Sequence, residues 1–332
     1  MFSEVSKILQ EHVPVLLKDF ISLSAPIKGC WIDGTFGAGG YSRALLQNGA
    51  CQVLAIDKDS TTKTFFKILQ NEYGDMIKFY NQNFADMGKN NDIINRNDIC
   101  GVVLDLGVSS MHLDNPSRGF SFKKSGPLDM RMGNQPGPTA SEIINLCSEA
   151  TLADLIFFYG QERKARKIAN RIVTERKKRK INTTLELAQI IRAIVPKNLN
   201  KDPATRTFQA IRIAVNDELK SLSRALRFAE RIIIKGGIIA VVTFHSIEDK
   251  IVKDFGKIMS GKASSTNRYS PPTFKTCASL IPINKKPIVA TANEIDLNKR
   301  ARSAKLRVYK KVSDSSSRIL MPMQFPEVEL GI

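Results

Sequence analysis

Three apolar runs in the first third of the chain each end in an aspartate: Cys30-Trp31-Ile32-Asp33, Cys51-Gln52-Val53-Leu54-Ala55-Ile56-Asp57 and Ile99-Cys100-Gly101-Val102-Val103-Leu104-Asp105. Helical patterns at 42–48 and 60–71 separate them, and an alternating run at 76–83 reads as a further strand. Few folds accommodate this rhythm. Strands joined by helices lie parallel, and runs that are apolar throughout bury both faces of their sheet. In an open parallel sheet ligands bind beyond the carboxyl ends of the strands. Asp33, Asp57 and Asp105 should therefore line one crevice.

The first run leads into Asp33-Gly34-Thr35-Phe36-Gly37-Ala38-Gly39-Gly40-Tyr41-Ser42, then into a helix. Glycines between a strand and a helix suit close backbone approach to a ligand. Both dinucleotide enzymes and methyltransferases that use S-adenosylmethionine carry such a loop, with an acid after the second strand, here Asp57, on the ribose hydroxyls. Two details separate them. Ser42 stands where the dinucleotide fingerprint has its third glycine. A carboxylate at the loop entrance, Asp33, repels a pyrophosphate but suits an ammonium and a sulfonium. A plain turn capped by Asp33 is the alternative without a ligand.

The rhythm then breaks. Residues 107–138 are rich in Gly, Pro, Ser and Asp and read as a functional loop. From 139 to 203 the patterns are helical. Ala165, Ile168, Ala169, Ile172 and Val173 form one face of a helix whose remainder is basic, from Arg163 and Lys164 to Lys180. A helix over 205–234 ended by Gly236-Gly237, a strand over 238–244, a helix over 247–259 opened by Ser246 and Asp249, and a late strand over 304–309 complete the pattern. The expected organisation is a core over 1–125, a loop and inserted helical substrate-binding domain over 126–205, a second core part over 206–312, and a flexible tail over 313–332.

Fifty Lys and Arg against 32 Asp and Glu give a net charge of +18. That balance favours a polyanion, nucleic acid before an anionic membrane. Five cysteines, odd in number and scattered, read as reduced thiols of a cytoplasmic protein, and the lack of a C-x-x-C pair leaves a metal site without local support. No apolar run approaches the ~18 residues of a membrane span, and no leader pattern is present.

The motifs His12-Val13-Pro14-Val15-Leu16-Leu17, Ile32 to Gly40, Leu104-Asp105-Leu106-Gly107-Val108-Ser109-Ser110, Arg118-Gly119-Phe120-Ser121-Phe122, Gly126-Pro127-Leu128-Asp129-Met130-Arg131, Pro203 to Ala210 and Phe244-His245-Ser246-Ile247-Glu248-Asp249 stand in one order. Together they resemble the RsmH (MraW) family of bacterial 16S rRNA methyltransferases, from about residue 12 to residue 310. The resemblance implies a class I S-adenosylmethionine-dependent methyltransferase, a Rossmann-like, mostly parallel seven-stranded α/β sheet with an inserted all-helical domain. It implies methylation of the exocyclic N4 of a decoding-centre cytosine, 1402 in the usual rRNA numbering, within the small ribosomal subunit. It implies cofactor contacts at Gly39, Gly40, position 41, Asp57, Phe84, Asp105 and position 112. Two positions depart from the family pattern: Tyr41 replaces its usual His and His112 its usual Gln. Asp33 is added as a cofactor contact and Asp105 as the catalytic residue. Arg131, Arg163, Lys164, His245 and Ser246 are candidate substrate contacts, against local salt bridging, a solvated helix face and helix capping. The oligomeric state is left open, a dimer included. A methyltransferase acting on DNA or another RNA, an NAD-dependent oxidoreductase and a non-catalytic RNA-binding protein are the rival functions.

Overall fold

The computed structural model describes residues 14–133, 136–196, 202–261, 278–313 and 325–332. They fall into two compact units, one from residues 1–107 and 220–324, the other from 108–219 and 325–332. The sequence-based boundaries at 125/126 and 205/206 are narrower than this division.

The first unit holds one sheet. Its strands are β1 (Cys30–Asp33), β2 (Gln52–Ile56), β3 (Ile77–Tyr80), β4 (Ile99–Asp105), β5 (Ile233–Thr243), β6 (Leu280–Pro282), β7 (Ile288–Val289) and β8 (Lys305–Lys311). The order is β3-β2-β1-β4-β5-β8-β6, with β7 also on β8. β1 to β5 pair in parallel, and β8 runs antiparallel to β5. The chain moves outward from β1 to β3, then returns to lay β4 on the other side of β1. This reversal opens a crevice at the carboxyl ends of β1 and β4, where Asp33 and Asp105 end their strands. β1, β2 and β4 are almost wholly buried, which explains their unbroken apolar sequence.

Two expected elements differ. The helix foreseen over 205–234 is two helices, Thr205–Asn216 and Glu218–Ile232, parted at Asp217, which adopts a left-handed φ of 48°. The strand foreseen from 238 begins at Ile233. Gly236 (φ 86°) and Gly237 lie inside it, where the register against β4 jumps from Ile99↔Ile233 to Gly101↔Ile238. The glycines form a bulge and end no helix. A Cβ on Gly237 would lie 2.8 Å from the Ile234 carbonyl oxygen and 3.0 Å from that of Cys100.

The second unit is helical: Ala140–Leu146, Glu149–Phe158, Ala165–Lys178, Thr184–Arg192 and Thr205–Asn216 are its main elements. Its core includes Leu152, Leu155, Ile156, Leu187, Ile191 and Ile211, together with Ala165, Ile168, Ala169 and Ile172 of the helix face read from the sequence. The stretch read as loop carries two short turns of helix, Ser110–Asp114 and Pro116–Arg118. Of the expected flexible tail, 314–324 lie outside the described residues. Residues 325–332 belong to the helical unit, where the Val328 N–H donates to the Tyr159 hydroxyl at 3.2 Å. Among the described residues no helix is long and apolar enough to cross a membrane.

Candidate active site

The loop after β1 is tied down from both sides. The Gly34 N–H donates to the Val103 carbonyl (3.0 Å) and the Phe36 N–H to that of Ile56 (2.9 Å). Asp33 is fully buried; its Oδ2 accepts from the Ser42 hydroxyl (2.7 Å) and its Oδ1 from the Thr35 N–H (3.2 Å). Ser42, the residue that broke the dinucleotide fingerprint, therefore ties the entrance acid to the first turn of the helix Gly40–Gln47. The Thr35 hydroxyl in turn accepts from the Asp105 N–H at 2.6 Å, linking the ends of β1 and β4. Asp57 holds the loop as well. One of its oxygens accepts from the Gly37 N–H and the other from the Asp59 N–H, both at 2.8 Å.

The glycines have different reasons to be glycine. Gly39 takes φ 80° as N-cap of the helix, and a Cβ there would meet the Phe36 ring at 2.8 Å. A Cβ on Gly40 would lie 2.2 Å from Pro14, so its bareness seats the Pro14-Val15-Leu16 segment on the helix start. Gly37 (φ 54°) faces open space: the nearest atom to a Cβ placed there would be the Thr35 carbonyl oxygen, at 3.8 Å. Of the loop glycines at 37, 39 and 40 it alone has open space beside it; the sequence reading named it in the Gly-x-Gly pair but not among the cofactor contacts. Phe84 lies at the start of the loop, its Cβ 3.3 Å from where a side chain on Gly34 would begin.

Tyr41 turns away. Its buried hydroxyl donates to the Val15 carbonyl, and its ring meets Phe20 edge-on at 5.2 Å. The Leu16 N–H donates to Glu294 Oε1 at 2.6 Å, fastening the same segment from the far side. The side chain of Tyr41 is thus committed to packing against this segment. Tyr41→Phe should therefore lower the melting temperature by a few degrees, at about 1 kcal/mol for the lost bond, while the affinity for S-adenosylmethionine measured by calorimetry stays within about threefold.

Asp105 has the least ordinary environment. Its Oδ1 is sealed from solvent and has no hydrogen-bond partner among the described residues. Burial, with the Asp33 and Glu248 carboxylates nearby, pushes it up to about 8. Burial likewise raises Asp33 to about 6, against its bonds to Ser42 and Thr35. Burial at the end of the sheet thus holds both acids back from ionising, Asp105 more than Asp33.

After β5, the N-cap of the helix Ser246–Met259 is His245, not Ser246. The Glu248 N–H points at His245 Nδ1 (3.4 Å), and Glu248 Oε2 accepts from the Phe244 and His245 N–H groups at 2.9 and 3.3 Å. His245 Nε2 lies 3.1 Å from Glu248 Oε1 but off the line of a hydrogen bond. Asp249, expected to complete a box with Ser246, instead accepts from Arg307 (2.7 Å) and Lys305 (3.1 Å) of β8.

In the helical unit, His112 is buried. It forms a capping box with Ser109, its Nδ1 3.1 Å from the Ser109 hydroxyl, and lies 5.0 Å from the Phe120 ring. Arg131 grips Asp129 through two parallel bonds of 2.8 and 2.9 Å. Between them Met130 takes a left-handed φ of 62°, its N–H donating to the Arg118 carbonyl and its carbonyl accepting from the Asn216 side-chain amide. Gly119 and Gly126 lack side chains because the Pro127 and Pro116 carbonyls occupy that space. The Lys164 ammonium donates to the Ile194 carbonyl at 3.0 Å. Arg176 donates to the Ile144 and Cys147 carbonyls, while Arg171 and Lys178 pair with Glu175. Arg163, Arg166, Lys167 and Lys177 are exposed, and their side chains form no ion pair or hydrogen bond among the described residues.

An open parallel sheet that reverses between β1 and β4, takes one antiparallel strand beside β5 and sets a glycine loop with acids at its carboxyl edge is that of the class I methyltransferases. The chain belongs to the MraW methylase family, whose model matches residues 9–312. Its methyl donor is S-adenosyl-L-methionine. It is similar to proteins named ribosomal RNA small subunit methyltransferase H. The one from Paramagnetospirillum magneticum is 47% identical over 302 residues, covering 90% of this chain and 95% of that protein. Those from a Wolbachia of Drosophila simulans and from a Jannaschia species are each 46% identical, covering 91% and 93% of this chain and 99% and 93% of theirs.

Proposed function

We propose that this protein methylates the exocyclic N4 of a cytosine in 16S rRNA, position 1402 in the usual numbering, presented by the small ribosomal subunit in the cytoplasm. The observation that carries the chemistry is the sealed, unpartnered Oδ1 of Asp105 at the strand reversal. The acceptor follows from the relatives' shared name and the motif set.

The residues fit a cationic methyl donor. Gly37 leaves space for it, the main chain of Gly39, Gly40 and Tyr41 opens a helix beside it, and Asp33 and Asp105 set buried carboxyl groups at the same strand ends, Asp105 becoming negative as it ionises near 8. Asp57 is assigned its ribose hydroxyls, although that carboxylate also holds the Gly37 loop. Phe84 and His112 complete the proposed cofactor contacts. When bound, S-adenosylmethionine supplies an electrophilic methyl carbon on a positively charged sulfur.

Cytosine N4 is a poor nucleophile because its lone pair is delocalised into the ring. Asp105 counters this by accepting an N4–H with its unpartnered oxygen, which biases the nitrogen toward a tetrahedral shape and takes the positive charge that develops there. Holding nitrogen and methyl carbon in line supplies much of the remaining rate. Asp105 must be ionised to accept. A free-enzyme value near 8 then makes kcat/KM for the cofactor rise about tenfold per pH unit up to that point. The target base must be unpaired or extruded to reach the site.

His245 and Ser246 are assigned to the base or its backbone, His245 being also the helix cap. Arg131, Arg163 and Lys164 are assigned to RNA within the substrate-binding region 126–205, Lys164 with its ammonium also donating to the Ile194 carbonyl. The exposed cations give a direct expectation. Removing Arg166, Lys167 and Lys177 together should weaken binding of small subunits and reduce the slope of log affinity against log salt by about two. With tritiated methyl donor, incorporation is expected in small subunits isolated from cells without this modification. Labelling of DNA alone would overturn the proposal.

A further inference from the structure

Most apolar residues in the helical unit's helices point inward, and two large aromatics do not. Phe157 and Phe158, on the last turn of the helix Glu149–Phe158, are 52% and 39% exposed. Their neighbours Leu152, Ala153, Leu155, Ile156 and Tyr159 are buried, so this helix already has its inward face. The two rings meet edge-to-face, with centroids 5.2 Å apart and planes at 77°. Each ring thereby steadies the other without hiding it.

Two arginines stand at the same corner of the chain. The chain turns at Gly160, where a Cβ would lie 2.6 Å from the Arg206 carbonyl oxygen. Gln209 fastens the same corner by donating to the Tyr159 carbonyl at 3.0 Å. The head of the helix Thr205–Asn216 is thus set against the end of the phenylalanine helix. Arg206 there keeps 55% of its side chain exposed, at 3.5 Å from Glu162. Arg163 follows five residues after Phe158, exposed and making no ion pair among the described residues. Exposed carboxylates stand near as well, Asp154 one turn before the rings and Glu327 and Glu329 on either side of Val328, whose N–H donates to the Tyr159 hydroxyl.

We propose that Phe157 and Phe158 are a stacking platform for unpaired nucleotides of the RNA substrate, with Arg163 and Arg206 on the adjoining phosphates. Aromatic faces beside cations are the combination by which single-stranded nucleic acid is held, because every base offers a π-face and the backbone is a polyanion. A solvated apolar pair without cations would suit a protein partner better. The +18 charge and the two arginines favour RNA here. The platform rests on the ribosomal RNA reading above and gives it a second point of contact, for bases that are not themselves methylated.

The test uses the full-length protein with Phe157→Leu, Phe158→Leu, the double Leu variant, and Phe157→Tyr with Phe158→Trp. Both positions are exposed, so all four should fold, with melting temperatures within about 2 °C of the parent. Two readings are taken: affinity for a fluorescent unpaired oligoribonucleotide and for a duplex of the same length, and KM for small subunits with kcat. The platform predicts a loss of roughly tenfold in single-strand affinity per Leu substitution. It also predicts unchanged duplex affinity, a raised KM at near-constant kcat, and full recovery in the aromatic variant. Leu variants that bind and turn over like the parent would overturn it. So would a change confined to oligomeric state in size-exclusion chromatography, which would assign the rings to a second copy of the chain. If the parent methylates no ribosomal RNA, the functional proposal fails. If the parent methylates and the Leu variants match it, only the platform fails.

Discussion

Asp105→Asn is expected to abolish methyl transfer, by roughly 10²–10⁴-fold, and at the same time to stabilise the protein in alkaline buffer. The amide keeps the shape of the side chain but cannot accept in the same way or take positive charge. The stability effect follows from linkage. In the folded chain Asp105 holds its proton up to about 8, whereas an unfolded aspartate loses it near 4. Between those values the folded state binds the extra proton, so stability falls as pH rises and the full penalty is present above about 8. Asn removes the penalty and leaves a buried amide in part unsatisfied, for a net gain of about 2 kcal/mol at pH 8.5. Thermal melts should show the variant several degrees above the parent at pH 8.5 and below it near pH 4, where the parent carries no penalty and only the cost of the amide remains. A variant less stable than the parent at both pH values, or one that turns over normally, would contradict the role assigned to Asp105.

Asp249→Ala is expected to be the most damaging single change in the first unit. Its side chain is 13% exposed and accepts from both Arg307 and Lys305, fixing the helix that His245 begins to β8. Burial opposes its ionisation, but the bonds from Arg307 and Lys305 outweigh it and hold the carboxyl below the usual range. Truncation leaves the nearly buried Arg307 without its partner, at a cost of about 3–5 kcal/mol. A fall in melting temperature of roughly 10 °C or more should follow. The sign is opposite to that of Asp105: this contribution is present above pH 4 and is lost as pH falls through the lowered value. The gap between parent and variant should therefore narrow in acid.

What the sequence made legible was set by how local its cause was. β1, β2 and β4 with their terminal acids stood out because doubly buried strands are apolar without interruption. The break at Asp217 did not, since Phe208, Ile211, Val215, Leu219 and Leu222 keep helical spacing across a single left-handed residue. Gly236-Gly237 looked like a helix end because glycines commonly are, and only the pairing partner β4 makes them a bulge. Strands as short as Leu280–Pro282 and Ile288–Val289 carry no period to detect. At the site, Asp33, Asp57 and Asp105 were placed correctly at strand ends, but what each carboxylate touches was hidden. Tyr41 reads as a loop residue facing the ligand until Pro14-Val15-Leu16 is seen packed on it, a contact between segments that no spacing rule links. Glu248, three residues after His245, was the available signal that the histidine and not the serine begins the helix.

The central claim is tested most directly by nucleoside mass spectrometry of 16S rRNA from cells with and without this protein, combined with fragment mapping of the modified position. An N4-methylated cytosine at 1402 is expected in the parent. In the deletion strain that methyl group should be absent, and it should return with the wild-type protein but not with Asp105→Asn. An unchanged methylation pattern in the deletion strain, or loss of a methyl group from a different base, would contradict it.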